Sequence, residues 1–218
     1  MQKVNELFMN QEMKVVKSRR KTLSIVVRGG EVTVRAPFGI SDERIQSFVA
    51  RNRDWIQKQL AKTISVPKLV LEDGAYLTLF GERYRIQSGR TRLKSGELYL
   101  PLENRQEALK RLLKKHSFAY MSALTERIAK VRGFKYLQVK ISSARTRWGS
   151  CSRKGNISYT FRIAFLPPEL AEYIAVHELC HTVWFNHGKE FWKLVEQVLP
   201  NWRNLRKQLK SRPEMAFL

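Results

Sequence analysis

The stretch that decides the fold is PELAEYIAVHELCHTVWFNHGKEFW, residues 168–192. A proline pair, Pro167-Pro168, opens it, and proline costs a helix nothing in its first turn. The run LAEYIAV that follows is apolar enough to bury a helix, and within that helix His177, Glu178 and His181 form HExxH. Two histidines four residues apart on an α-helix lie about 40° apart around its axis, so both imidazoles reach one ion. Glu178 stands beside the first of them, where it faces a water activated by that ion and serves as general base.

A catalytic zinc keeps one position open and so takes three protein ligands. On an unbroken helix His187 would point about 280° away from His177. The helix must therefore end between His181 and His187, and Asn186 and Gly188 are suited to leaving it. The resulting HExxHxxxxxH makes His187 the favoured third ligand, with Glu190 and Glu196 as competitors. Three of the chain's four histidines fall inside this motif, which argues against a chance grouping.

Working outward, TLSIVVRGGEVTVRA (22–36) alternates on each side of Gly29-Gly30 and predicts a hairpin. Ser41 is placed to cap a helix running to about Lys62, with Asp42 and Glu43 in its first turn. Its capping box is incomplete because Arg44 stands where a glutamate would. A second β-rich stretch spans about 70–100, with LTLFGERYRI turning at Gly81-Glu82 and ELYLP closing at Pro101. Residues 103–131 hold no Gly or Pro and predict one long helix or two shorter ones, ended by Gly133. Short strands are expected over 137–141 and 156–161. The class is α+β, with a β-rich part and one amphipathic helix over 1–101 and a catalytic part over 102–218.

Composition bounds the function. The chain has 218 residues, and 41 Lys and Arg against 19 Asp and Glu give a net charge of +22. Such a field draws polyanions, so nucleotides, nucleic acid and acidic proteins become candidate partners, although solvated charge for solubility accounts for it equally well. No apolar run approaches the roughly 18 residues of a membrane span. The two cysteines, Cys151 and Cys180, are too few for a disulfide framework. With no apolar block of signal length at the N-terminus, these features place the chain in the cytoplasm.

The chain resembles the YgjP-like metallopeptidase family, zincin-type proteins related in motif to the SprT and WLM domains. The resemblance rests on RTRWGSCS (145–152), GNISYTFRIAFLPPELAEYIAVHELCH (155–181) and NHGKEFW (186–192). Toward the N-terminus it rests on KSRRKTLSIVVRGGEVTVRAP (17–37), RNRDWIQKQL (51–60) and FGERYRI (80–86). It implies a zincin-like C-terminal domain with Zn2+ on the three histidines. Two departures stand out: Tyr159-Thr160 replaces the family's Leu-Asn pair, and Lys189-Glu190 replaces less charged residues.

Other residues have competing uses. Arg145 and Arg147, before Trp148, either stabilise an oxyanion or phosphate near the metal or are solvated. Gly149 is expected to permit a turn. Cys180 and Cys151 read as packing residues, Phe191 and Trp192 as anchors of the turn that carries His187, and Glu172 and Tyr173 as supports of the ligands or ordinary helix surface. The basic runs 17–21 and 203–212 read as solvated faces unless they line the metal's side. The leading function is zinc-dependent peptide hydrolysis. The alternatives are hydrolysis of a nucleoside triphosphate at the same site, or a nucleic-acid-binding protein with structural zinc.

Overall fold

In the computed structural model, which describes residues 13–28, 30–64, 69–212 and 217–218, the alternating run around Gly30 folds as the expected hairpin. Strands β2 (Ser24–Arg28) and β3 (Glu31–Pro37) pair antiparallel with Arg28 opposite Glu31, and β1 (Lys14–Ser18) pairs with β3 in parallel. Gly30 holds φ +85°, which glycine adopts without steric cost; its turn partner Gly29 lies outside the described residues. Val32, Val34 and Ala36 form the buried face of β3 and cluster with Ile45, Val49, Ile56 and Leu60.

Ser41 caps the following helix, its Oγ accepting the Arg44 N–H at 3.4 Å. The single helix expected to about Lys62 is instead two, α1 (Asp42–Arg51) and α2 (Arg53–Ile64). They part at Asn52, whose backbone leaves helical values (φ −103°, ψ 12°) while its Nδ2 donates to the Phe48 carbonyl at 2.8 Å. A short amide side chain bonding back to the preceding turn competes with the helix for that carbonyl.

The chain forms two compact units, Met1–Pro67 and Lys68–Leu218, where the sequence suggested a division near 101. The physical reason lies in α3 (Arg105–Arg132), one continuous helix of 28 residues closed by Gly133 in the left-handed conformation (φ +74°). Its first half shares a core with the sheet formed over 76–100, through Ala108, Leu109 and Leu113. Its second half shares the other core with the metal helix, through Met121, Leu124, Ile128 and Ala129. Arg105 also reaches back across Pro101, donating to Asp73 (2.6 Å) and Ser88 (2.7 Å).

That sheet runs β4-β5-β7-β6, from β4 (Tyr76–Leu79), β5 (Glu82–Ser88), β6 (Arg92–Lys94) and β7 (Glu97–Leu100). Its first turn sits at Phe80-Gly81, one residue before the Gly81-Glu82 read from sequence, since Glu82 already pairs with Leu79. Both turn residues have positive φ (54° and 85°), as a two-residue hairpin of this hand requires. The tip backs onto the metal helix: a Cβ on Gly81 would lie 2.8 Å from Pro168 Cδ. The Phe80 N–H donates to the Ala164 carbonyl at 2.6 Å.

The part that carries HExxH is a small sheet with three helices. Strands β8 (Gln138–Ser142), β9 (Gly149–Cys151) and β10 (Asn156–Thr160) are ordered β8-β10-β9, and β9 lies antiparallel to β10 with Gly149 opposite Tyr159. A 3-10 turn (Phe161–Phe165) leads into α4 (Pro168–Cys180), followed by α5 (Lys189–Val198) and α6 (Trp202–Lys210). Helix α4 is apolar nearly all round and is buried accordingly, with Leu170, Ala175, Leu179 and Cys180 fully enclosed. Among the described residues no helix is long and apolar enough to cross a membrane, and both cysteines are free thiols.

Candidate metal centre

Helix α4 ends at Cys180 with His181 as its cap, at the near edge of the interval expected for its end. The Val183 and Trp184 N–H groups close onto the Cys180 carbonyl (3.1 and 2.9 Å). Asn186 and Gly188 do a different job: Asn186 Oδ1 accepts the Gly188 N–H (3.4 Å), and Gly188 is the cap of α5. The chain thus turns back sharply, and His187 returns to the face of α4 that carries His177 and His181.

The ligating atoms of these three histidines lie within 4.8 Å of one another. His187 Nε2 is 3.1 Å from His177 Nε2 and 3.2 Å from His181 Nε2. Tetrahedral coordination at about 2.0–2.1 Å separates nitrogens by about 3.3–3.4 Å, so these two sides lie within tenths of an ångström of what zinc requires, and the third is no longer than 4.8 Å. The tautomer fits as well. His181 donates its Nδ1–H to the Trp184 carbonyl (2.9 Å), which turns the Nε2 lone pair to the centre. Burial, with neighbouring His181, His187 and Arg206, pushes His177 down to about 3, and burial likewise lowers His187. His177 is therefore neutral at physiological pH, and the shift of His187 runs toward the same state, the one a metal requires. Glu190 and Glu196 are not in the cluster found among the described residues; Glu196 is ion-paired with Arg203.

Aromatic rings hold the imidazoles in place. Phe191, fully buried, stacks on His181 at 4.5 Å and meets His177 and His187 edge-on at 5.0 and 4.9 Å. Trp192 stacks on His187 at 5.5 Å and in turn on Trp202 at 4.3 Å.

Glu178 is 5% exposed, and its Oε2 has no hydrogen-bond partner among the described residues. Burial pushes its carboxyl up to about 8, against the opposing charge of Arg147. It can sit there because residue 149 is glycine: a Cβ at that position would lie 2.6 Å from Glu178 Oε1 and 2.7 Å from its Cγ. Gly149 therefore makes room for the carboxyl rather than a turn, and its φ is not in the left-handed region.

The loop arginines separate. Arg147's charge acts on Glu178, whereas Arg145's acts on Arg162. Arg162, not singled out from the sequence, is 1% exposed. It donates to the carbonyls of Ser143 and Ala144 (both 3.2 Å), Phe217 (2.6 Å) and Leu218. The departure residues are structural: Tyr159 hydroxyl bonds Thr125 inside the core (3.0 Å), and Thr160 Oγ1 donates to the Ala144 carbonyl (2.9 Å). Glu172 pairs with Arg127 at 3.6 Å. Tyr173 instead faces the centre, its ring 6.0 Å from His177, with burial pushing its hydroxyl up to about 12. Cys180 is enclosed in the core and Cys151 is half-buried beside it.

A cleft of about 300 Å³ opens beside His177 and Glu178, walled by Trp148, Tyr173 and, from α6, Arg206 and Lys210. The basic run at 203–212 thus lies partly on the metal's side. Its only sequence signal is the spacing of Arg206 and Lys210, four apart on a helix whose Trp202 and Leu205 are buried.

A family model described as the YgjP-like metallopeptidase domain matches residues 21–212. No curated protein matches the chain. Among solved structures the chain is similar to the metallopeptidase zymogen abylysin of Pyrococcus abyssi, at 25% identity and TM-score 0.38, covering 41% of this chain and 90% of that one. It is also similar to the metallopeptidase zymogen jannalysin of Methanocaldococcus jannaschii, at 17% identity and TM-score 0.37, covering 41% and 92%. A third is Wss1 of Saccharomyces cerevisiae, at 20% identity and TM-score 0.34, covering 49% and 84%.

Proposed function

This chain belongs to the YgjP-like metallopeptidase family, and on that premise we propose that it hydrolyses peptide bonds at His177, His181 and His187, with zinc as the ion and Glu178 as general base. The observation that carries the reading is the convergence of three imidazole nitrogens beside one buried carboxyl. Zinc held there supplies Lewis acidity toward a substrate carbonyl and makes a water acidic enough to attack near neutral pH.

The chain's own residues supply the remainder. Three ligands leave a position open, which a structural site closed by four would not. A cation at the histidines offsets the burial that raises the Glu178 pKa, so its carboxylate becomes the resident form, and Arg147 acts in the same direction. That carboxylate accepts a proton from the attacking water and returns it to the amide nitrogen as the C–N bond breaks, leaving a carboxylic acid and an amine. Gly149 keeps the base in place, and the Trp184 carbonyl keeps His181 in its ligating tautomer. Of the two loop arginines, Arg147 is the one supported as an electrostatic aid to the reaction.

The test is elemental analysis alongside hydrolysis of casein. About one zinc per chain is expected in the wild type, with the metal largely lost in His187→Ala. Glu178→Gln is expected to keep its zinc and lose nearly all turnover. Full zinc in His187→Ala, or near-normal turnover in Glu178→Gln, overturns the assignment.

A further inference from the structure

We infer that the cleft beside the metal centre selects peptides carrying an acidic side chain close to the scissile bond, and that Arg206 and Lys210 are the residues that read it. The inference rests on the peptidase reading above and adds the substrate class.

Four observations carry it. First, Arg206 and Lys210 line the same cleft as His177 and Glu178. Second, they stand one turn apart on α6, so their side chains lie side by side and both meet a ligand in the cleft. Third, among the described residues neither has a carboxylate within ion-pair distance. Their helix neighbour Arg203, by contrast, is neutralised by Glu196 outside the cleft lining. Fourth, Arg206 is held in position: its guanidinium lies 4.6 Å above the Trp192 ring, which itself stacks on His187.

The balance inside the cleft leaves an anion to be supplied. Its one carboxyl, Glu178, is buried behind Gly149 and committed to the chemistry. Two cations beside a half-enclosed reaction site, with no acid but Glu178 in its lining among the described residues, complement an aspartate or glutamate of a substrate and repel a lysine or arginine there. The cleft volume of about 300 Å³ admits a peptide side chain or two beside the backbone.

The test uses the zinc-loaded full-length protein on a proteome-derived mixture of peptides, with cleaved bonds read by mass spectrometry. It is followed by a matched pair of peptides differing only in Asp against Asn beside a cleaved bond. The wild type is expected to enrich acidic residues within three positions of cleaved bonds and to favour the Asp peptide by about tenfold in kcat/KM, a preference that shrinks with salt. Arg206→Gln and Lys210→Gln are each expected to lower that preference about threefold or more, chiefly through KM, while Arg206→Lys retains most of it. Cleavage without charge preference, or a preference untouched by these substitutions, overturns the inference and leaves the peptidase reading standing. A second arm does not depend on turnover: calorimetric binding of the same two peptides to zinc-loaded Glu178→Gln. There the Asp peptide must bind more tightly than its Asn twin, and Arg206→Gln in that background must erase the difference. If no peptide is cleaved, the peptidase reading fails, and the binding arm is run with any two peptides identical but for Asp against Asn. Tighter, Arg206-dependent binding of the Asp peptide then supports the reading of an acidic side chain by Arg206, and equal binding overturns it. Binding of a nucleoside triphosphate in an Arg206-dependent way, with the two peptides bound equally, also overturns it.

Discussion

Replacing Glu178 with glutamine is expected to stabilise the metal-free protein at alkaline pH, although the same change removes the proposed base. The carboxyl is 5% exposed with Oε2 unpartnered among the described residues, and burial moves its pKa from 4.5 to about 8. Between those values the unfolded chain releases a proton that the folded protein keeps. Stability is therefore full below about 4.5 and is lost as pH rises toward about 8. Each pKa unit is worth about 1.4 kcal/mol, so the interval sets a ceiling of about 5 kcal/mol. His177 works in the other direction. Its folded pKa falls from 6.5 to about 3, so its contribution is present above 6.5 and is lost as pH falls through that interval. The metal-free wild type should thus be most stable between about 4.5 and 6.5, where the two slopes oppose each other. The assay is urea unfolding of chelator-treated protein at about pH 5.5 and about pH 8, followed by tryptophan fluorescence; the expected loss for the wild type is on the order of 2 kcal/mol or more. Glu178→Gln, left with the His177 slope alone, should show no such loss and be the more stable protein at the higher pH. A wild type equally stable at both, or a glutamine variant that declines as steeply, would refute the argument that this carboxyl is held against its own solvation for chemistry.

Three further outcomes follow from the geometry. Gly149→Ala places a methyl 2.6 Å from Glu178 Oε1; zinc content should hold while kcat/KM drops on the order of 100-fold, as for a displaced base. Phe191→Ala opens a cavity beneath all three histidines. Urea unfolding should show a loss of about 3–5 kcal/mol, and chelator competition a weaker hold on zinc. Arg162→Met removes a buried guanidinium that serves the carbonyls of Ser143, Ala144, Phe217 and Leu218. It should cost about 2–4 kcal/mol by the same assay, and a change below about 1 kcal/mol would mean those carbonyls find other partners.

The sequence by itself determined what depends on neighbours a few residues away. HExxH places two rings on one helix face because the helical period is fixed. Gly29-Gly30 between alternating runs dictates a hairpin, Ser41 caps α1, and Gly133 ends α3 through its own backbone freedom. That His187 gathers with His177 and His181 was legible, because HExxH calls for another ligand within reach and the helix therefore has to end short of His187. Tertiary structure decided what depends on residues far apart in the chain. Gly149 reads locally as a turn residue, and only the approach of Glu178, on another element, shows that it is glycine for space. Arg162 reads as surface charge until distant carbonyls enclose it. Local periodicity runs through Asn52 and misses the break there, and Pro101 suggests a boundary that the shared core of α3 and the preceding sheet removes. Arg206 and Lys210 look like any basic helix face, because charge carries no direction in a sequence. Trp202 stacks on Trp192, and with that packing Arg206 and Lys210 line the cleft beside His177 and Glu178.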